Sequence, residues 1–132
     1  MGRRAMCSGF ATRLASSALG ALLFLGTAHA QSVRLVVQSS PLAGFRYHAA
    51  AEVWPELRVG ERLALERERD NAYDVNAVSV SWRGRKLGYV PRRENAALAW
   101  GLDHGERFGA RISRLRLHPN PARRLEFEVY AE

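Results

Sequence analysis

A short polar turn holds the densest group of chemically useful side chains in this sequence. From residue 70 to residue 76 the chain reads Asp-Asn-Ala-Tyr-Asp-Val-Asn. Asp and Asn at this spacing can bond to nearby backbone groups in Asx turns, so one interpretation of Asp74 and Asn76 is that they hold the loop against the next strand. Tyr73 is different, because an aromatic ring at the tip of a polar turn has no core to enter. Its position indicates a surface that stacks on a ligand.

Other aromatic and basic residues could act on the same ligand. Tyr47 and Tyr73 together could form a stacking platform for nucleobases. Arg46, beside Tyr47, and Arg92, beyond Tyr89, supply cations that could meet phosphates. Because the chain uses Arg throughout and Lys only once, the alternative for any single Arg is a solvated surface charge.

The sequence predicts no metal site and no other cofactor. The polar turn does not match a calcium loop, since Ala72 stands where a ligand is needed and the late Glu is missing. His48, His104 and His118 are scattered and lack the spacing of a zinc site. The sequence also has no nucleophile elbow and no phosphate loop, so we expect no catalytic residues and no enzyme activity.

Short alternating segments must position these side chains. Alternation with period two predicts six strands, over residues 33–38, 63–69, 77–82, 86–90, 108–117 and 125–129. Arg83-Gly84 predicts a tight reversal between the third and fourth strands. Residues 39–44 are expected to break the first strand, and a shift in alternation predicts a bulge near Ser113.

Two helical segments complete the prediction. One spans residues 49–54, ahead of Pro55. The clearer one opens at residues 93–95 and ends at Gly105. Its 3.6-residue period should turn Ala97 and Trp100 towards the core, and Leu98 and Leu102 could belong to the same face. The fold class is therefore mostly β with one or two short helices, arranged as a small six-stranded β-barrel.

The order of residues from Arg69 to Asn95 resembles the HIRAN domain. That family carries D-N-x-Y-D-x-N-A-[VI]-x-V, then G-x-x-[LV]-G-[YH]-[VL]-P, then a helix opening with E-N-A. The sequence departs visibly at Ala72, where many members have Pro. The resemblance covers about residues 33–131, and it implies an OB-like barrel with two helices.

The resemblance also implies a function. HIRAN domains of helicase-like DNA-remodelling enzymes bind the 3′ end of single-stranded DNA, which implies a non-catalytic nucleic-acid-binding module here. An acceptor at Asp74 suits a terminal 3′-hydroxyl. The family often has His where this chain has Tyr89. The implied DNA-binding residues are Arg46, Tyr47, Asn71, Tyr73, Asp74, Tyr89 and Arg92.

The N-terminal thirty residues have the pattern of a secretory signal peptide. Three Arg precede or flank an apolar run over 14–26, and Ala28-His29-Ala30 gives a cleavage site; an uncleaved anchor or a misassigned start are the alternatives. Cleavage would leave residues 31–132 as a HIRAN-like domain with no membrane span. It would remove Cys7, the only cysteine, and lower the net charge from +7 to +4, since the segment holds three Arg and no acid. The sequence thus predicts export to the periplasm or the extracellular space.

Export leaves a second function open. An exported binding or structural domain could keep this fold and recognise a cell-envelope polymer, an anionic lipid or a protein partner instead of DNA. A basic face at Arg111, Arg114 and Arg116 could serve any of these ligands.

Overall fold

Six antiparallel strands form one sheet in the computed structural model, which describes residues 33–132. The strands are β1 (Val36–Pro41), β2 (Arg62–Arg67), β3 (Val78–Trp82), β4 (Arg85–Tyr89), β5 (Phe108–Leu115) and β6 (Leu125–Ala131). Their order across the sheet is β1-β6-β5-β2-β3-β4. The predicted mostly β class with six strands is confirmed. The signal peptide predicted for residues 1–30 lies outside the described residues.

The first strand was misplaced by the sequence pattern. Residues 39–41 do not break β1 but form its second half, where Ser39 and Ser40 pair with Glu128 and Phe127 of β6. Pairing with a central strand outweighs the weak strand propensity of these residues. Pro41 is tolerated because it is the last residue of an edge strand. The predicted bulge near Ser113 is confirmed by a register shift between Ile112 and Arg114.

The sheet does not close into the predicted barrel. β1 and β4 are its two edges, and they share no ladder. Instead the chain just after β1 reaches β4 through one isolated bridge, in which Ala43 and Tyr89 exchange two N–H···O bonds of 2.9 Å. The ladder stops there because Gly44, with φ of 77°, turns the chain into a 3-10 helix at Phe45–Tyr47. The two edges therefore meet at a seam.

A glycine makes this seam possible. A β-carbon at Gly88 would overlap the carbonyl oxygen of Ala43. The chain beyond the bridge continues along β4, because the Ala49 amide donates to the Lys86 carbonyl at 3.0 Å. Residues 43–49 thus lie against β4 even though they belong to no strand.

The reversal between β3 and β4 is as predicted. Arg83 and Gly84 have φ of 47° and 79°, so both central residues lie in the left-handed region, as a type I′ turn requires.

Two α-helices flank the sheet, α1 (Ala50–Val53) and α2 (Ala96–Asp103). The predicted inner face of α2 is wrong for Ala97 and Trp100 and is confirmed for Leu98. Leu98, Ala99 and Gly101 are buried, whereas Trp100 is 60% exposed and stacks on His104 with ring centroids 3.9 Å apart. A β-carbon at Gly101 would collide with Phe108, so α2 approaches the sheet along its smallest residue. Because of that contact, the buried face of α2 is centred one residue further along the helix than predicted. One residue corresponds to a rotation of about 100°, which leaves Trp100 outside the buried face.

Among residues 33–132, the buried apolar side chains of the core extend from Leu42 to Tyr130. Its largest fully buried side chains include Leu42, Leu63, Leu87, Phe127 and Tyr130. No helix in residues 33–132 is long and apolar enough to cross a membrane.

Candidate nucleic-acid interface

A groove of about 720 Å³ opens at the seam between β1 and β4. We call it the main groove. Its lining residues are Ala43, Tyr47, His48, Asn71, Tyr73, Asp74, Ala77, Tyr89, Val90 and Arg92. Six of the seven predicted DNA-binding residues are among them. The seventh, Arg46, lines a neighbouring hollow together with Tyr47.

The polar turn forms one wall of the main groove and is held by its own side chains. Asn71 Oδ1 accepts hydrogen bonds from the backbone amides of Tyr73 and Asp74, at 2.9 and 3.1 Å. Asp74 Oδ1 accepts from the backbone amide of Asn76 at 3.0 Å. The Asx-turn interpretation is therefore confirmed for Asn71 and Asp74. Asn76 contributes its backbone amide to this turn.

Asp74 is fixed from a second side by Asn95, a residue to which the sequence pattern assigned no role in the site. Asn95 Nδ2 donates to Asp74 Oδ2 at 2.7 Å, and Asn95 is 1% exposed. Asn95 is the N-cap residue of α2, where an Asn side chain ordinarily accepts a backbone hydrogen bond, yet it makes no such cap bond. Its amide serves the turn instead of the helix. The sequence feature that could have indicated this role is the position of Asn95 at the predicted start of a helix.

Two aromatic rings project from the main groove into solvent. Tyr47 is 82% exposed and Tyr73 is 88% exposed, which agrees with the expectation that Tyr73 has no core to enter. Burying such rings against an apolar ligand is favourable, so their exposure in the free protein indicates a surface that a ligand covers. Tyr89 is half-buried and forms part of the wall.

A charged network holds Tyr89 in place. Its hydroxyl donates to Glu68 Oε1 at 3.0 Å and accepts from Lys86 Nζ at 3.1 Å, and Lys86 pairs with Glu68 at 2.7 Å. The His48 ring meets the Tyr89 ring edge-on, with centroids 5.3 Å apart. Sequence reasoning set His48 aside as one of several scattered histidines, although it follows Tyr47 directly.

This network shifts three pKa values. Burial tends to raise the pKa of Glu68, but the hydrogen bonds from Lys86 and Tyr89 outweigh it and the pKa is lowered. The hydrogen bond to Glu68 raises the pKa of Lys86. Burial, followed by the charge of Lys86, lowers the pKa of His48, so its ring is neutral at pH 7.

The arginines around the main groove lack acidic partners in the described part of the chain. Within residues 33–132 neither Arg46 nor Arg92 forms an ion pair, and both are exposed. The predicted basic face on β5 is largely neutralised, because Arg111 pairs with Glu128 at 3.0 Å and Arg114 approaches Glu126 at 4.0 Å. Strands β5 and β6 lie side by side, so these opposite charges face each other across the pair.

In the described part of the chain, no group of three or more His, Cys, Asp or Glu side chains could hold a metal ion. The main groove offers rings, one oriented carboxylate and cations at its margin. These groups suit a ligand with aromatic bases, hydroxyls and phosphates.

The fold and the groove together define a small antiparallel β domain with an aromatic binding groove at the seam of its sheet. The chain belongs to the HIRAN domain family, whose model matches residues 35–132. The HIRAN domain is a DNA-binding module and is typically non-catalytic. A comparison with curated proteins finds no match.

Two solved structures resemble the chain. A crystal structure of a protein from Lactobacillus plantarum is 30% identical, with a TM-score of 0.65, and the match covers 75% of this chain and 95% of that one. The crystal structure of the HIRAN domain of human HLTF is 19% identical, with a TM-score of 0.55, covering 70% and 73% of the two chains. The second likeness shows a common fold.

The contact between Asn95 and Asp74 predicts a specific loss of stability. Replacing Asn95 with Ala leaves a half-buried carboxylate without its donor, so the free energy of unfolding should fall by about 1–3 kcal/mol. Asn76→Ala is the matched control, because only the backbone of Asn76 bonds to Asp74. Urea denaturation of both variants measures the difference. Equal stability of the two variants would contradict the assigned role of Asn95.

The ion pair between Glu68 and Lys86 predicts a dependence of stability on pH. Because folding lowers the pKa of Glu68 from its ordinary 4.5, the pair stabilises the fold above that pH, and the contribution is lost as pH falls through the lowered pKa. The raised pKa of Lys86 places the opposite limit above pH 10.5. Glu68→Gln should therefore cost up to about 1 kcal/mol at pH 7 and less at pH 2, where more of the carboxylate is protonated.

Glu66→Gln is the control for this measurement, since Glu66 lies two residues earlier, on β2, and forms no ion pair within residues 33–132. A loss for Glu68→Gln that stays the same at both pH values would show that packing, and not charge, is responsible.

Proposed function

We propose that the chain binds single-stranded DNA by its free 3′ end, in the main groove. The observation that carries the proposal is the assembly of six implied DNA-binding residues, from three separate segments of the chain, around one groove. No catalytic step is proposed, because the groove contains no activated nucleophile and the family is typically a binding module.

Each part of the main groove has a chemical task in this proposal. Tyr47 and Tyr73 stack on bases, a contact that is tolerant of sequence because every base has a π-face. Arg92 and Arg46 meet phosphates on either side. Asp74 accepts a hydrogen bond from the terminal 3′-hydroxyl, which an internal phosphodiester lacks.

The fixed orientation of Asp74 supports its assignment to the hydroxyl. Both carboxylate oxygens already accept one hydrogen bond each, from Asn76 and Asn95. An ionised carboxylate has about four acceptor positions, so two remain for a ligand. A group at the same place that cannot donate, such as a terminal phosphate, would meet carboxylate charge without a hydrogen bond.

The test is fluorescence anisotropy of residues 31–132, which contain the compact unit Ser32–Glu132. Short single strands with a 3′-hydroxyl or a 3′-phosphate are the ligands. We expect the hydroxyl end to bind at least about tenfold more tightly, since a charged donor–acceptor contact is exchanged for repulsion. Tyr47→Ala should weaken binding of the hydroxyl strand by about 5- to 100-fold through lost stacking.

Asp74→Asn should abolish the preference for the hydroxyl end. Asp70→Asn is its control, because Asp70 is exposed on the same turn and does not line the main groove. Equal affinity for the two ends in the parent protein, or an unchanged preference in Asp74→Asn, would refute the proposed groove.

We propose separately that the protein is exported, on the basis of the signal-peptide pattern of residues 1–30. The protein recovered from the cell envelope or medium should have the mass of a chain that begins at Gln31. Recovery of the intact chain from the cytoplasm would contradict export. If export holds and no DNA is bound at low salt, recognition of an envelope polymer or a protein partner becomes the function to test.

A further inference from the structure

Two smaller hollows continue the main groove along the same side of the molecule. The side pocket, of about 350 Å³, shares Tyr47 with the main groove and is completed by Gly44, Phe45, Arg46, Asn120, Pro121 and Ala122. The apolar pocket, of about 450 Å³, shares Phe45 with the side pocket and is completed by Ala51, Trp54, Leu117, His118, Pro119 and Arg124. Shared walls at Tyr47 and Phe45 therefore join the three hollows in a row.

The far wall of this row is a well-ordered turn between β5 and β6. The Arg116 amide donates to the Arg124 carbonyl at 2.9 Å and closes the turn at its base. Asn120 Oδ1 accepts from the Ala122 amide at 3.0 Å and caps a 3-10 helix at Pro121–Arg123. The wall is already formed in the free protein, so binding does not incur the entropic cost of ordering it.

The charges along the row suit a polyanion. Arg46 lines the side pocket and Arg124 lines the apolar pocket, and neither forms an ion pair within residues 33–132. Arg124 is oriented for an external anion. Its Nε donates to the His118 carbonyl at 2.8 Å and its guanidinium lies 5.3 Å from the centre of the Phe45 ring, so its two terminal nitrogens remain available.

The apolar pocket also offers a surface for a flat ring. Phe45 and Trp54 meet edge-on, with centroids 5.7 Å apart, and Leu117 is 86% exposed at the margin. An exposed Leu beside a half-buried Trp and an Arg provides apolar and cation–π contacts of the kind that hold nucleobases in single-strand binding proteins.

We propose that the strand whose 3′ end lies in the main groove passes over Tyr47, through the side pocket, and places an upstream base in the apolar pocket, for a total site of about four nucleotides. This inference rests on the proposed function and adds the course and length of the bound strand. Phosphates along that course face Arg46 and Arg124.

Length dependence of binding tests the proposal. Oligothymidylates of two, four, six and eight nucleotides with a free 3′-hydroxyl are titrated into residues 31–132 by anisotropy at low salt. Affinity should rise by at least about tenfold between two and four to six nucleotides and then level off, because one further base and its phosphates are bound. The slope of log K against log salt should steepen over the same interval.

Two variants test whether the rise in affinity with strand length comes from the apolar pocket. Arg124→Gln retains a donor towards the His118 carbonyl but loses the charge, and Leu117→Ser changes an exposed side chain that cannot unfold the core. In both, the ratio of six- to two-nucleotide affinity should fall towards one. Arg107→Gln is the control, because it removes the same charge at the opposite end of the β5–β6 pair. Its ratio of six- to two-nucleotide affinity should match that of the parent protein.

The outcomes separate this inference from the proposed function. Binding of the two-nucleotide strand with no gain on lengthening would overturn the extended site and leave the main groove in place. If Arg124→Gln and Leu117→Ser leave the rise in affinity with strand length unchanged, the upstream strand binds elsewhere and the extended site is also overturned. Absence of binding at every length would overturn both proposals.

Discussion

The bridge between Ala43 and Tyr89 is the contact on which the candidate site depends. It is the point at which the chain after β1 first reaches β4, and it forms only because Gly88 has no side chain. Two hydrogen bonds are a small contribution to stability, about 0.5–1.5 kcal/mol each. Their effect on geometry is larger. They bring the 3-10 helix that carries Tyr47 alongside the strand that carries Tyr89, so residues distant in sequence share one groove. A fully closed barrel would place a ladder where this groove opens.

Structural and functional interpretations of the polar turn do not exclude each other. Asp74 accepts hydrogen bonds from Asn76 and Asn95, so it stabilises the turn. The same two bonds fix the direction of its remaining lone pairs, which is a requirement for recognising a single hydroxyl. The polar partner Asn95 lies buried at the start of α2, a position at which its usual capping bond has been given up. A missing helix cap of this kind is a local departure from the usual pattern, and such departures are expected where a side chain of a functional site has to be held in one orientation.

Local chemistry explains which parts of the structure were predictable. The tight reversal at Arg83-Gly84, the bulge near Ser113 and the strand at Val78–Trp82 are each determined by a few adjacent residues, and each was predicted. Long-range contacts explain the rest. Ser39 and Ser40 are strand residues because β6 pairs with them, and Trp100 is exposed because Gly101 packs against Phe108. The open seam likewise depends on a bridge between two residues more than forty positions apart in the sequence, and a pattern of hydrophobic periodicity cannot indicate such a contact. For the site, the family resemblance supplied the residues that line the main groove, whereas Asn95, His48 and the Glu68–Lys86 pair became visible only in three dimensions.

The distribution of charge shows why net charge is a poor guide to the ligand of this domain. A modest excess of basic residues argues against a strong non-specific DNA binder when the surface is taken as a whole. The acids, however, are placed against particular arginines: Glu126 and Glu128 face Arg114 and Arg111 across the sheet, and Asp103 meets Arg67 and Arg69. Pairing removes these cations from any long-range field. Arg46 and Arg124, which line the two smaller hollows, have no such partners within residues 33–132. A mildly basic domain can therefore present one locally basic course to a short stretch of nucleic acid. The few phosphates of a strand end, and not a long duplex, are the matching ligand.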